Sequence, residues 1–507
     1  MRAAALLTGV AVVTAPSPST PAGCRSLAPA DERPPILALD PRPRAPRVFA
    51  IQFKQDVAGV TSYAAFRTRI DCLIRQDVVP HLARGRPNVV VFDEDTGLMT
   101  LAIGSRGAVA RRIAARGSPG CEGQGAPCST VAALGALMAA YAPQVAAYRA
   151  RFPSMGPLAA AWVAATDTLV RGFMETFSDL ARRYRVYIVA SNDQAPFRVS
   201  TDPAEIALFH DPDYPPPPYV YLATSPDVYN EAFVWGPRDV RATGPGPLRN
   251  VVASNLKVPL TPLEQEIGLT PGPSGGPAAI ANLEPFRLPG TRARLGIATS
   301  LPAFQYGSPP AGMDPCSDVA SYYMRCLSRL GANIVIQDEA NPGRWTGPDG
   351  NGIERWQPLS WMASTYRAVS DPTVGFDYNV TAMMVGNLAD LVFDGQTAIT
   401  QRGLRGRGCH YIGDSAFVPG EDQSQFRRYA GNQPDFLAIA PWVVGDRSRA
   451  ELRRVGAELA PGSGSPLEDD YVETAIVADL PVPLDRRRSD CVTATRWPAR
   501  RPARRRR

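Results

Sequence analysis

Apolar and polar positions divide the chain into strand-sized and helix-sized segments. Runs rich in β-branched and other apolar residues recur at 47–53 (RVFAIQF), 88–94 (NVVVFDE), 186–191 (VYIVAS), 230–236 (NEAFVWG), 294–300 (RLGIATS), 333–339 (NIVIQDE), 379–387 (NVTAMMVGN) and 390–400 (DLVFDGQTAIT). Several are apolar at successive positions, as expected of central strands covered on both faces. Helical spacing lies between them. Residues 61–82 predict a helix with Thr61 as N-cap and Pro80 at its end, and 129–183 predict two helices split near Phe152-Pro153. A third starts at Ser317 or Asp318, closes at Gly331 and runs directly into the strand that follows. Strands alternating with helices predict an α/β or α+β layered sandwich. Gly/Pro clusters mark 104–128, 196–218, 242–254 and 268–290 as loops or insertions.

The two ends have a different texture. Residues 3–15 have the length of a signal-peptide core and are too short to span a bilayer. Residues 1–22 are therefore expected to be a signal peptide, and 23–46 a Pro-rich linker. A folded domain is expected over 47–445, with 446–507 a C-terminal extension ending in a disordered Arg-rich tail. That tail carries more than the whole +6 net charge, because ten Arg face only Asp479, Asp485 and Asp490 and the rest of the chain is slightly negative. No aromatic-basic module accompanies it, so nucleic acid is not an expected partner. Eight Cys, an even number, suit an oxidising compartment and permit up to four disulfides, so a secreted or cell-envelope location is expected, with the cytoplasm as the alternative. Three His and no C-x-x-C spacing leave no metal ligand set, and no cofactor is expected. No integral membrane span is expected either.

Composition also points to a residue. Of 54 basic residues only Lys54 and Lys257 are lysines, and Lys257 is followed seven residues on by Glu264. A surface role would accept Arg, whereas a compact ammonium donor would not. At the end of NVVVFDE, Glu94 stands where a buried strand leaves the core, a common place for active-site groups and also for solvated turn formers.

In this order the motifs resemble the carbon–nitrogen hydrolase (nitrilase) superfamily. Phe92-Asp93-Glu94 is similar to its Phe-Pro-Glu strand end, with Asp in place of Pro. Tyr229-Asn230-Glu231-Ala232 resembles its Tyr-Asn-x-Ala strand, and Lys257 with Glu264 its lysine and second glutamate. Gly331-Ala332 and Phe393-Asp394-Gly395-Gln396-Thr397 look like later landmarks. The resemblance implies an α-β-β-α sandwich with loop insertions, a homodimer, and a Glu-Lys-nucleophile site acting on a small-molecule amide or nitrile. At the nucleophile the sequence departs from the pattern. Counting forward from strand 294–300 places Ser300 at the position of the family's cysteine. Counting back from Gly331 places Cys316 there instead, with 301–315 as an insertion. Ser300 is favoured because a strand end fixes the nucleophile; Cys316 then becomes a structural thiol or a disulfide partner of Cys326. A serine in place of the thiol leaves open a catalytically silent relative that binds a ligand or partner.

Overall fold

A computed structural model describes residues 24, 34–40, 44–118, 120–121, 127–215, 218–343, 346–348, 354–404, 409–410, 435–440, 449–484 and 492–493. The segment expected to be a signal peptide lies outside these residues, as does the Arg-rich tail apart from 479–484 and Val492–Thr493, the latter a short strand rather than disordered chain. Two β-layers form the centre. The first runs Val251–Leu256, Tyr229–Trp235, Tyr187–Gln194, Asn88–Val91, Arg47–Lys54, Thr474–Asp479 and Ile36–Ala38 in order across the layer. The second runs Phe286–Arg287, Arg294–Ile297, Ile334–Glu339, Tyr378–Leu388, Ala398–Gln401, Ala438–Ile439 and Val492–Thr493. The long strand Tyr378–Leu388 joins them, because its last residues leave the second layer to pair Met384 and Val385 with Phe53 and Lys54 of the first.

Alternation along each strand decides what fills each layer. In Arg47–Lys54, Val48 and Ala50 face the second layer, where they meet Leu295, Ile336, Val380 and Ile399. Phe49 and Ile51 point the other way, under helices Tyr63–Leu73 and Glu175–Tyr184, with Phe66, Ile70, Phe177 and Trp235. Small and β-branched side chains thus separate the sheets, and aromatic ones fill the wider gap beneath the helices. On the far side of the second layer, helix Val319–Arg329 sets Tyr323 and Leu327 against Val335. The result is the expected α-β-β-α sandwich.

Several local expectations are corrected. The first helix is capped by Ser62, whose hydroxyl accepts from the Ala65 N–H, rather than by Thr61. Residues 129–183 form more than two helices, with breaks at Tyr141, at 152–158 and near Ala165. The stretch 242–254 holds much of the edge strand Val251–Leu256, although its polar alternation reads as loop. The larger correction concerns the ends of the chain. Thr474–Asp479, from the segment read as an extension, is fully buried between Arg47–Lys54 and Ile36–Ala38, the latter from the segment read as a linker. Asp479 binds the guanidinium of Arg47 at 2.8 Å, and Tyr471 donates to Asp394 at 2.7 Å. Both flanks are therefore part of the folded core. Disulfides join Cys24 to Cys72, Cys121 to Cys128 and Cys316 to Cys326.

Candidate active site

Strand ends from both layers meet at one cavity of ≈ 370 Å³. Glu94 follows Asn88–Val91, Lys257 follows the edge strand Val251–Leu256, and Ser300 follows Arg294–Ile297. All three line the cavity, with Glu264 on helix Pro262–Glu266 beside them. Although 163 residues apart, Lys257 and Glu94 are in direct contact: Nζ donates to Oε1 at 2.5 Å. The same ammonium lies 2.8 Å from Glu264 Oε1.

Each member is held from more than one side. Asn230 Nδ2 donates to both carboxylates, at 2.9 Å to Glu94 and 3.1 Å to Glu264. The other oxygen of Glu94 accepts from the Ala340 N–H at 2.9 Å. Glu264 also closes a reciprocal capping box with Thr261, whose backbone N–H and hydroxyl both donate to Oε2. Lys257 is fixed by its own backbone, which donates to the Asn230 carbonyl at 2.9 Å. Because Lys257 and Glu94 are each only 2% exposed, this pairing is made away from water, where an unpaired partner would be strongly disfavoured.

Burial raises the Glu94 pKa to about 7, against the opposing pull of the Lys257 ammonium. For Lys257 burial acts to lower the pKa, but Glu94 and Glu264 outweigh it and keep the amine protonated above lysine's usual range. Glu264 is also buried, yet Lys257 and Thr261 hold it below the usual carboxylate value. Asp95 and Asp193 stand at the same end of the cavity, each pushed well above the ordinary value by burial and then by neighbouring carboxylates.

Ser300 sits at a sharp turn with φ 55° and ψ −114°, a conformation rarely adopted by residues other than glycine. Its N–H donates to the Asp338 carbonyl at 3.0 Å, and its carbonyl accepts from Ala303 at 2.8 Å, so the turn is held on both sides. Cys316 does not occupy this place. Its sulfur is bonded to Cys326, it packs in the apolar cluster under helix Val319–Arg329, and it does not line the cavity. That removes the alternative nucleophile.

The sequence reading passed over Glu339. This residue ends the fully buried strand Ile334–Glu339, beside Arg294–Ile297, with its carboxyl group near enough to the Ser300 side chain to be stabilised by it. Gln337 and Asn341 donate to it, at 2.6 and 3.0 Å. Burial, reinforced by Glu94, raises its pKa to about 8. The signal was present: NIVIQDE repeats the form of NVVVFDE, an apolar strand closing on Asp-Glu.

No protein-family model and no curated protein matches the chain. Among solved structures it is similar to a nitrilase-superfamily amidase from Nesterenkonia sp. AN1, at 12% identity over 71% of this chain and 85% of that one, with a TM-score of 0.33. It is similar also to a carbon-nitrogen hydrolase from Helicobacter pylori G27, at 12% identity over 71% and 82% of the two chains, with a TM-score of 0.36.

Proposed function

We propose that the protein hydrolyses a non-peptide C–N bond of a small-molecule amide or nitrile, with Ser300 as nucleophile, Glu94 as general base and Lys257 as the cationic donor. The observation that carries this reading is the buried Glu94–Lys257–Glu264 cluster on the same cavity wall as a strained serine at a strand end. For an amide, Ser300 Oγ adds to the carbonyl carbon and its proton passes to Glu94, while the Lys257 ammonium stabilises the developing oxyanion. Glu94 returns the proton to the departing amine, leaving an ester on Ser300. Water, deprotonated by Glu94, then releases the carboxylic acid and regenerates the hydroxyl. With a pKa near 7, Glu94 is a stronger base than an ordinary carboxylate and still ionises near neutrality. Glu264 keeps the ammonium in place, and Glu339 orients the hydroxyl.

The hydroxyl itself favours a second reading, a catalytically silent protein that binds a ligand at this cavity, since serine is a weaker nucleophile than a thiolate at neutral pH. Incubating the protein with amides and nitriles and searching for an acyl-enzyme by mass spectrometry separates the two. An adduct on Ser300 supports hydrolysis; ligand binding with neither adduct nor product supports the silent protein. In either case we place the protein outside the cytoplasm, a location that its three described disulfides favour. Pairing into a homodimer is likewise proposed, with sedimentation of the purified protein as the test. Among the described residues no single helix is long and apolar enough to cross a membrane.

A further inference from the structure

The proposed catalytic groups occupy only one end of the cavity. From them an apolar arm extends between helices Ala108–Arg116 and Cys128–Ala140, lined by Leu101, Ala110, Leu134, Leu137, Trp162 and Leu388. A site for acetamide-sized molecules would need none of this space. The arm is also built to persist. The N-terminus of Cys128–Ala140 is tied down by Asp390, which accepts from the Ser129 and Thr130 backbone N–H groups at 2.8 and 3.2 Å and from the Thr130 hydroxyl at 2.8 Å. Cys128 itself is bonded to Cys121. On the other wall the Arg111 guanidinium donates to the Gly104 carbonyl at 2.7 Å. With its helices braced in this way, the space stays open beside the charged end.

Resting on the hydrolase reading, we infer that the substrate is an amide with an extended apolar acyl chain, and that this chain fills the arm. The assignment of the chain to the acyl side follows from the order of events. The acyl group stays on Ser300 after the first step, while the amine must leave and water must enter, so a lined pocket serves the part that remains. The buried acid groups of Asp95 and Asp193 at the charged end, able to hydrogen-bond, suit a departing amine better than an apolar group.

The test uses the full-length Ser300→Ala variant, which binds without turnover, and calorimetric titration with straight-chain primary amides from propanamide to decanamide. Each added methylene should tighten binding by about fourfold, the effect of removing one CH₂ from water, until the arm is full and the affinity levels off. Introducing Ala110→Trp or Leu134→Trp, alone and with its thermal unfolding checked, should make the plateau arrive at a shorter chain. Equal affinity along the series, or a plateau unmoved by both folded variants, would overturn the assignment. The two readings fail separately. A chain-length dependence in a protein that hydrolyses none of these amides would sink the hydrolase and keep the pocket; turnover of propanamide with a flat series would do the reverse.

Discussion

Two strands end in the same dipeptide and do different things with it. Asn88–Val91 leads to Asp93-Glu94 and Ile334–Glu339 closes on Asp338-Glu339; both glutamates are buried at the charged end of the structure, and burial raises both above the ordinary carboxylate value. Glu94 meets an ammonium at 2.5 Å, whereas Glu339 accepts from the neutral amides of Gln337 and Asn341, with the Ser300 side chain nearby. The partners differ more than the values do. Lys257 pairs directly with the first and acts on the second only at a distance, and burial leaves both near neutrality, at about 7 and about 8. The first is suited to exchanging protons and the second to holding a hydroxyl in place.

The largest effects should come from the nucleophile and the ammonium. Ser300→Ala should abolish the acyl-enzyme seen by mass spectrometry, and Lys257→Arg should lower turnover about 100–1000-fold in a folded protein, since a planar guanidinium cannot occupy the ammonium's position between two carboxylates. The converse substitution, Ser300→Cys, should raise labelling by an electrophilic amide or nitrile probe; unchanged labelling would place the nucleophile elsewhere.

A loss at least as large is expected for Glu94→Gln, about 100–10,000-fold as the loss of a general base. In the parent, kcat/KM should rise with pH through about 7 as Glu94 loses its proton. Glu339→Gln should cost at most about tenfold, the worth of one hydrogen bond between neutral groups. If its loss equals that of Glu94→Gln, the two strand ends have exchanged roles and Glu339 is the base.

Glu339 should also be visible in stability. Its folded-state pKa of about 8 lies above the ordinary value, so the folded chain binds the extra proton and the contribution is complete below about pH 4.5. It is lost as pH rises through about 8. Chemical denaturation at pH 5 and pH 9 should therefore show a smaller decline for Glu339→Gln than for the parent. An equal decline in both would mean that Glu339 is not the buried acid described here.

The smallest effect on chemistry is expected at Cys316. Cys316→Ala should leave acyl-enzyme trapping intact and cost about 2–3 kcal/mol of stability, the entropy released by opening a loop of this length. Loss of trapping with stability retained would restore Cys316 as a nucleophile.

The central strands, Lys257 and Glu94 were legible because each leaves a local mark: a run of apolar residues, a lone lysine in an arginine-rich chain, an acidic group at a strand end. Helix Val319–Arg329 was legible too, through Asp318, whose side chain caps it, and Gly331 beyond its end. Thr474–Asp479 and Ile36–Ala38 were not. The first is buried at every position and only six residues long, and the second is three residues beside prolines. Their partners lie hundreds of residues away, and no local pattern records a pairing between the two ends of a chain.

The same division holds at the site. Residue types and their order determined which groups were candidates and that two strands would end in acid, since side-chain chemistry and strand periodicity are local properties. Tertiary structure decided that Lys257 bridges Glu94 and Glu264, that Glu339 comes beside Ser300, and that Cys316 is spent in a disulfide. Those outcomes depend on distances between segments far apart in sequence, and on burial that raises one carboxylate or favours its pairing with an ammonium. Both are set only when the two sheets close on one another.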